Sequence, residues 1–511
     1  MSEQNKGQRR GRNARRSARV ADTGPDWLPE LDRGIPYVDL LSDAQVQRVH
    51  DETMRLLEEV GIDFRDPESL AMWKADGVDV QGERVRFDRE YLMDKISTAP
   101  SEYTMLARNA DRSVTLGGRK TVFTPSYGAP FVLDFDGSRR NATLEDFDNF
   151  AKIAYLQPAV HMTGGVLCEP MDIPVPHRHL EMMYSLLKYS DKPFMGGVTS
   201  RERAEESLHM AGIVFGHDVV ADTTVMTSLA NCNSPLVWDQ TMLDSVKVNA
   251  ASNQATLFSP FVLGGASTPA STIGSVVQLS AEALAGVAFS QLVRSGAPAV
   301  YGQWLSTVSM KTGAPQAGTP EICHMNLLTG QLARFYNLPW RCSGSQSSSP
   351  VVDAQAGYES ARNMYGVLMS GANFVLSTTG YLESALCQSY AKAALDGEQL
   401  EMMYKLGKGI DFDELDGALD AMREVNPGDH YLGTAHTLEH FQSAFMMPDL
   451  MSADSFEQWT VDGAKDAAAR GADKARALLE RYEEPSLPDD KLEELRDFVD
   501  RRRSEIPELV T

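Results

Sequence analysis

The chain is poor in cysteine. Its 511 residues hold five, Cys168, Cys232, Cys323, Cys342 and Cys387, odd in number and without a C-x-x-C pair. That argues against a disulfide framework or a thiolate zinc site and suits a reducing compartment, so the cytoplasm is the expected location. No run approaches the eighteen apolar residues of a membrane span, and no apolar stretch follows the basic N-terminus, so neither a membrane anchor nor a secretory leader is expected. Basic charge is scarce as well: 48 Lys and Arg stand against 71 Asp and Glu, for a formal net charge of −23. Seven of the basic residues fall within the first twenty, MSEQNKGQRRGRNARRSARV, beside one glutamate. Residues 1–25 therefore read as a disordered basic tail, and the remainder is strongly acidic. An acidic body is repelled by phosphate backbones, which argues against nucleic acid as a partner.

What is present is a core. Hydrophobic residues make up 42% of the chain, ample for one large barrel with additions. From residue 120 onward, eight short apolar, β-branched stretches recur, at 120–128, 159–165, 192–198, 223–231, 255–265, 296–304, 338–345 and 371–380. Between them lie segments of helical periodicity such as SVVQLSAEALAGVAFSQLVRSG. Apolar strands alternating with helices indicate parallel βα units, and eight of them predict an α/β fold, a (β/α)8 TIM-type barrel over residues 121–410. An open doubly wound sheet is the alternative. Residues 26–120, with SDAQVQRVHDETMRLLEEVG behind a Ser42 cap, read as an N-terminal helical layer. Residues 411–511 read as C-terminal helices packed on the barrel.

The strand ends are chemically distinctive. Tyr127-Gly128, Gly164-Gly165, Asn231 and Asn233, Gly264-Gly265, Gln303-Trp304, Ser343 to Ser349 and Thr378-Thr379-Gly380-Tyr381 follow the apolar runs. In a barrel these positions form the C-terminal mouth, where active sites are built. They describe a polar pocket, lined by aromatics and poor in positive charge.

A second feature lies near the C-terminus. GDHYLGTAHTLEHFQSAF contains His436-Thr437-Leu438-Glu439-His440, spelling H-x-x-E-H. On a helix the two histidines share a face and offer two zinc ligands, with Glu439 as a base, the pattern of a zinc hydrolase. Such a site needs a third ligand from elsewhere.

Three segments in order decide between these leads: TPASTIGSVVQLSAEALAGVAFSQLVRSGAPAVYG with Glu282 and Gln291, SSSPVVDAQAGYESA after the serine-rich loop, and GDHYLGTAHTLEHF. Together they resemble the trimethylamine methyltransferase family of corrinoid-dependent enzymes, which includes the glycine betaine enzymes, over roughly residues 35–480. In that family's L-G-x-x-H-T-x-x-H-F motif, Glu439 occupies a variable position, so the resemblance assigns no metal site and directs His436 and His440 toward the corrinoid. It implies methyl transfer to the cobalt of a corrinoid (cobalamin) carried by a separate protein, because the corrinoid-binding pattern D-x-H-x-x-G is absent; GDHYLG has Gly428 where the Asp should be. It implies, further, the branch without pyrrolysine, since every residue here is a standard one.

That branch acts on quaternary amines, glycine betaine foremost. A trimethylammonium group has no N–H to donate, so aromatic faces and carboxylates must recognise it, each aromatic contact contributing about 0.5–2 kcal/mol. The candidates are Tyr127, Tyr301, Trp304, Tyr381 and Tyr431, with Glu383 as counter-charge. Gln303 lies beside Trp304 at the mouth. For a substrate carboxylate the candidates are Arg341, Asn231, Asn233, Gln346 and His430, while Asp353, Gln355 and Glu359 fall at a helix start, where capping explains them. A homo-oligomer is expected. A non-catalytic quaternary-amine sensor is the main alternative, and a zinc hydrolase the lesser one.

Overall fold

The computed structural model describes residues 27–197 and 199–508; the tail expected at residues 1–25 lies outside them. At the centre, seven strands lie parallel in one curled sheet. Their spatial order is Phe194–Met195, Met226–Ala230, Ala255–Phe258, Ala299–Gly302, Trp340–Ser343, Phe374–Leu376 and Lys120–Phe123. Each falls within one of the apolar stretches read from the sequence. The remaining stretch bonds to both neighbours: His161 N donates to Phe123 O (3.0 Å), Thr163 N to Pro193 O (2.9 Å), and Met195 N to Gly164 O (2.8 Å). His161 Nδ1 accepts from Phe123 N at 2.8 Å, so this ring is neutral, and burial pushes its pKa down to about 3.

These strands are buried on both faces, which is why they read as unbroken apolar runs instead of alternating ones. One face, including Val122, Met195, Leu229, Leu257, Val300, Phe374 and Leu376, shares a core cluster with Tyr103, Met105, Val114 and Leu116 of the hairpin Glu102–Met105 and Val114–Gly117. The opposite face, with Phe123, Phe258, Tyr301, Trp340 and Val375, packs on the surrounding helices. Chief among these is Thr272–Val293, capped by Ser271 Oγ accepting from Gly274 N (3.1 Å). It is long and apolar enough to cross a membrane, yet it is buried within the core of the protein.

Two expectations need correction. Residues 27–119 carry strands as well as helices: Ile62–Arg65, Asp79–Gln81 and Arg84–Arg86 join Val237–Asp239 in a four-stranded sheet beside helices Asp43–Arg55, Pro67–Ala75 and Arg89–Ser97. Strands of three or four residues are too short to display a period against the helical patterns around them. At the other end, helices Ala467–Glu480 and Asp489–Glu505 do pack on the body. The first lies on Tyr390–Lys408; the second lies on Arg178–Tyr189 and Arg201–Phe215, where Glu181 pairs with Arg503 (2.7 Å) and Glu206 with Arg502 (2.6 Å). Much of the intervening stretch 410–461 does not, and many of its apolar side chains stand in solvent, with Ile410 94%, Phe412 78% and Phe445 82% exposed, although Leu450 is buried. Glu398 tethers the far part of this arm by accepting from the backbone N–H groups of Asp449 (2.5 Å), Leu450 (2.7 Å) and Met451 (3.2 Å).

Candidate active site at the strand ends

Side chains alternate across a strand, so the inward positions can be followed upward from the core. On the Trp340–Ser343 strand, Arg341 is the neighbour of Gly302 and of the inward Phe374, and it therefore points inward too. Gly302 makes room for it: a Cβ there would come within 3.0 Å of Phe258 O and 3.3 Å of Arg341 Cβ. The guanidinium donates to Ser259 Oγ (2.8 Å) and to the Gln303 carbonyl, but its Nε has no partner. It is 1% exposed, and among the described residues no carboxylate pairs with it. Burial lowers its pKa to about 10, which leaves it charged at neutral pH.

Other polar atoms of these strand ends are buried without a partner, namely Thr124 Oγ1, Ser343 Oγ and Gln346 Nε2. A buried polar group left unsatisfied costs about 1–3 kcal/mol, and more when charged. Native structures carry few of them, and each calls for an explanation. Two tyrosines border these groups. The Tyr381 hydroxyl accepts from Tyr127 N (2.8 Å), and the Tyr127 ring packs on the interior cluster; burial raises both phenols above their ordinary range.

The loops carrying these groups are held from behind. On helix Tyr390–Lys408, Lys392 pairs with Asp396 (2.6 Å) and donates to Ser345 O (3.0 Å), while Asp396 accepts from Gly380 N (2.7 Å). One buried ion pair thus fixes both the serine-rich loop and the turn before Tyr381. Glu359 accepts from Ser347 Oγ (2.8 Å), Ser348 N (2.7 Å) and Gln355 Nε2 (3.0 Å), and Asp353 caps its helix through Ala356 N (2.9 Å). Glu282 accepts from Ser234 Oγ (2.6 Å), Leu236 N (2.8 Å) and Gln278 Nε2 (2.9 Å); burial raises its carboxyl above the usual range. Gln291 likewise bonds Gly296 N (2.9 Å) and Ala297 O (2.9 Å). Of the residues that carry the family resemblance, Glu282 and Glu359 therefore hold loops beyond the strand ends, while Gln291 fixes the loop that enters the Ala299–Gly302 strand.

Several sequence candidates lie elsewhere. Tyr301 points outward into the helical core, where its hydroxyl meets Ser280 Oγ at 2.6 Å. Gln303 also points outward, donating to Asn326 Oδ1 (2.6 Å) and accepting from Thr329 Oγ1 (3.2 Å). Glu383 is not a free counter-charge, because Arg139 grips it through two bonds of 2.8 and 2.9 Å and lies 3.6 Å above the Phe131 ring. Glu383, Ser384 and Ala385 are three successive non-glycine residues of positive φ, at 50°, 53° and 80°. Ser384 Oγ bonds Pro315 O (2.9 Å) and Ser348 Oγ (3.1 Å), so this strained turn ties neighbouring loops together. Trp304 stays at the rim, stacked on Phe261 at 4.2 Å and 6°. Asn231 follows the inward Leu229 by two residues, while Asn233 is engaged by Asp239 (2.6 Å).

His430 and Tyr431 are exposed on the arm, and His436 and His440 stack on each other at 4.4 Å on its short helix Ala435–His440. Among the described residues no third His, Cys, Asp or Glu converges on that pair. The one acidic cluster of ligand-like spacing, Asp66, Glu68 and Asp244, surrounds the Lys247 ammonium at 2.8, 2.5 and 2.7 Å. Sequence reading passed over Thr124, Ser259, Lys392 and Asp396, which sit off the glycine and aromatic signals that marked the strand ends.

A buried, uncompensated guanidinium among unpaired hydroxyl and amide groups stands at the carboxyl ends of parallel strands, where enzymes of the α/β class build their active sites. Within that class the chain belongs to the trimethylamine methyltransferase family. The family's model, Trimethylamine methyltransferase (MTTB), matches residues 7–507. The chain is 38% identical over 475 residues to the glycine betaine methyltransferase of Desulfitobacterium hafniense (strain Y51), covering 93% of this chain and 99% of that one. To the proline betaine:corrinoid methyltransferase of Eubacterium limosum it is 26% identical, covering 88% and 95%, and to the same organism's L-carnitine:corrinoid methyltransferase 26%, covering 88% and 94%. In fold it is similar to the crystal structure of the Methanosarcina barkeri monomethylamine methyltransferase, at a TM-score of 0.52 and 12% identity over 88% of this chain and 90% of that one. The protein is a methyltransferase.

Proposed function

We propose that the protein moves a methyl group from a quaternary amine, glycine betaine foremost, to a corrinoid carried by a separate protein. The observation that carries this reading is Arg341: a buried cation with no carboxylate of its own fits a substrate that has one, as betaines do and trimethylamine does not. Tyr127 and Tyr381 offer aromatic faces beside it, and Asn231, Gln346, Ser343 and Thr124 offer polar contacts. His430, in the stretch nearest to a corrinoid-binding pattern, lies exposed on the arm, which supports a corrinoid carried by a partner. The corrinoid, when brought to the mouth, supplies the cobalt nucleophile that accepts the methyl group. The protein's own part is to hold the carboxylate, aim one N-methyl outward and exclude water, a contribution of positioning. The leaving amine departs neutral and needs no proton during the transfer.

Three structural readings accompany this. The parallel strands with residues 161–164 form a closed (β/α)8 barrel, supported by the bonds that join that stretch to Phe123 on one side and Met195 on the other. The exposed arm contacts a second copy of the chain through its apolar side chains, and its His436 and His440 face the corrinoid. A corrinoid partner must come and go, and transient interfaces are more polar than permanent ones, so an arm this apolar suits a homo-oligomer. The five free cysteines suit a cytoplasmic setting.

The test is to mix full-length protein, glycine betaine, reductant and a cognate corrinoid protein and to measure dimethylglycine. Formation that requires all components supports the reading. Tight betaine binding without dimethylglycine would replace the enzyme by a sensor, and metal-dependent hydrolysis lost in His440→Ala would replace it by a zinc hydrolase.

A further inference from the structure

The reaction as proposed leaves one charged side chain at the strand ends unused. Glu169 closes a segment stitched to the loop that carries Tyr127: Gly128 N donates to Val166 O (2.6 Å), Ser126 Oγ to Leu167 O (3.0 Å), and Glu169 N to Ala129 O (2.9 Å). The Tyr127 ring lies across the same segment, with its Cε2 within 3.0 Å of where a Gly165 Cβ would stand. Glu169 is half-buried, with its side chain 34% exposed. Its ion pair with Arg178 is loose at 3.6 Å, longer than a charge-assisted hydrogen bond, and the Arg203 charge also reaches it. Glu383, by contrast, is held at 2.8 and 2.9 Å by Arg139. Burial raises both tyrosine phenols, and each also feels the Glu169 charge raising and the Arg341 charge lowering it, so both charges lie near the two rings.

We infer that Glu169 is the counter-charge of the substrate's quaternary ammonium, so that the pocket is matched to a zwitterion: Arg341 at the carboxylate end, Glu169 at the cationic end, Tyr127 and Tyr381 between. This rests on the quaternary-amine reading above. A quaternary ammonium donates no hydrogen bond, so a carboxylate can serve it only through field, and field reaches across several ångströms in a site from which water is excluded. Selectivity follows. A pocket with both charges rejects a carboxylate that lacks the cation, as well as a cation that lacks the carboxylate.

The probe is 3,3-dimethylbutanoate, the carbon isostere of glycine betaine, which keeps shape and carboxylate and loses only the positive charge. Isothermal titration of the full-length protein with both compounds is expected to give a betaine preference of about 30-fold in the wild type. In Glu169→Gln that preference should shrink to about 3-fold, through weaker betaine binding with dimethylbutanoate unchanged. Arg341→Lys should weaken both compounds together. Removing one of the competing cations by Arg178→Met should widen the preference, which supplies an independent arm if Glu169→Gln fails to fold. An unchanged preference in Glu169→Gln overturns the inference, as does equal weakening of both compounds or a narrower preference in Arg178→Met. Failure of the wild type to bind betaine at all instead sinks the quaternary-amine reading and the inference with it.

Discussion

At the strand ends the Arg341 guanidinium, the Ser343 hydroxyl and the Gln346 amide are buried with bonding capacity unused, whereas along residues 410–461 it is the apolar side chains, Phe412, Leu432, Phe445 and Phe456 among them, that lack cover. The two deficits are opposite in chemistry and point to different partners. An orphaned polar group in a cavity is satisfied by a small ligand that brings the complementary charge. An uncovered apolar side chain is satisfied by another macromolecular surface, because only that removes a large area from water. The contrast teaches how the proposed function divides between regions that belong to one family pattern: on that proposal the strand ends choose the substrate, and the arm chooses the company.

The sharpest way to break this division is Arg341→Met. Replacing a buried charge that meets a substrate carboxylate should weaken betaine by roughly 100-fold, about 3 kcal/mol, with oligomeric state unchanged. Titration calorimetry and sedimentation on the same sample check both halves, and a fall in oligomer size would dissolve the distinction. Next comes the reverse experiment, in which Phe412→Ser with Phe445→Ser should weaken self-association by about 2 kcal/mol while betaine affinity stays within a factor of about two. Analytical ultracentrifugation across a concentration series measures it.

A third prediction concerns acid. His161 stays neutral in the fold down to about pH 3, whereas unfolded histidine takes a proton near pH 6.5. The folded value lies below the unfolded one, so this contribution to stability is present above about pH 6.5 and is lost as pH falls. Between about pH 6.5 and about pH 5 it amounts to roughly 2 kcal/mol. In His161→Asn, which keeps an acceptor for Phe123 N, urea unfolding should show a shallower decline over that interval. The smallest effect belongs to Glu383→Gln. Its pair with Arg139 is partly exposed, so the change should cost under about 1 kcal/mol in stability and leave betaine selectivity unaltered, in contrast to Glu169→Gln.

Much of the fold was legible because the parallel strands are buried on both faces: Met226–Ala230 and Ala255–Phe258 announce themselves as continuous apolar runs. The same property hid the site's facing. Tyr301 and Gly302 are consecutive, one in the helical core and one beneath Arg341, and when both faces of a strand are buried the sequence does not mark which is which. Gln303 and Tyr301 were candidates for that reason. Glu383 was singled out for its charge, but its Arg139 partner is 244 residues away in the chain and no local pattern reveals it. Glu169 sits beyond the Gly164-Gly165 pair, on a segment whose only message is proximity to Tyr127 in three dimensions.

The pairing of the Lys120–Phe123 strand with Phe374–Leu376 has a consequence for how the molecule is made. Thr121 Oγ1 donates to Ala372 O across 251 residues, and the Arg33 guanidinium donates to Leu368 O across 335. On the ribosome, then, the early strand can pair with Leu31–Asp32, but its edge toward Phe374–Leu376 and the Arg33 guanidinium wait for partners that have yet to be translated. The nascent chain holds an open parallel edge, with Val122 and Phe123 beside it, through most of synthesis. Long-range pairings of this kind fold slowly and leave apolar edges open to misassociation. Yield of active protein should therefore depend on chaperones and on translation speed more than on the stability of the finished fold.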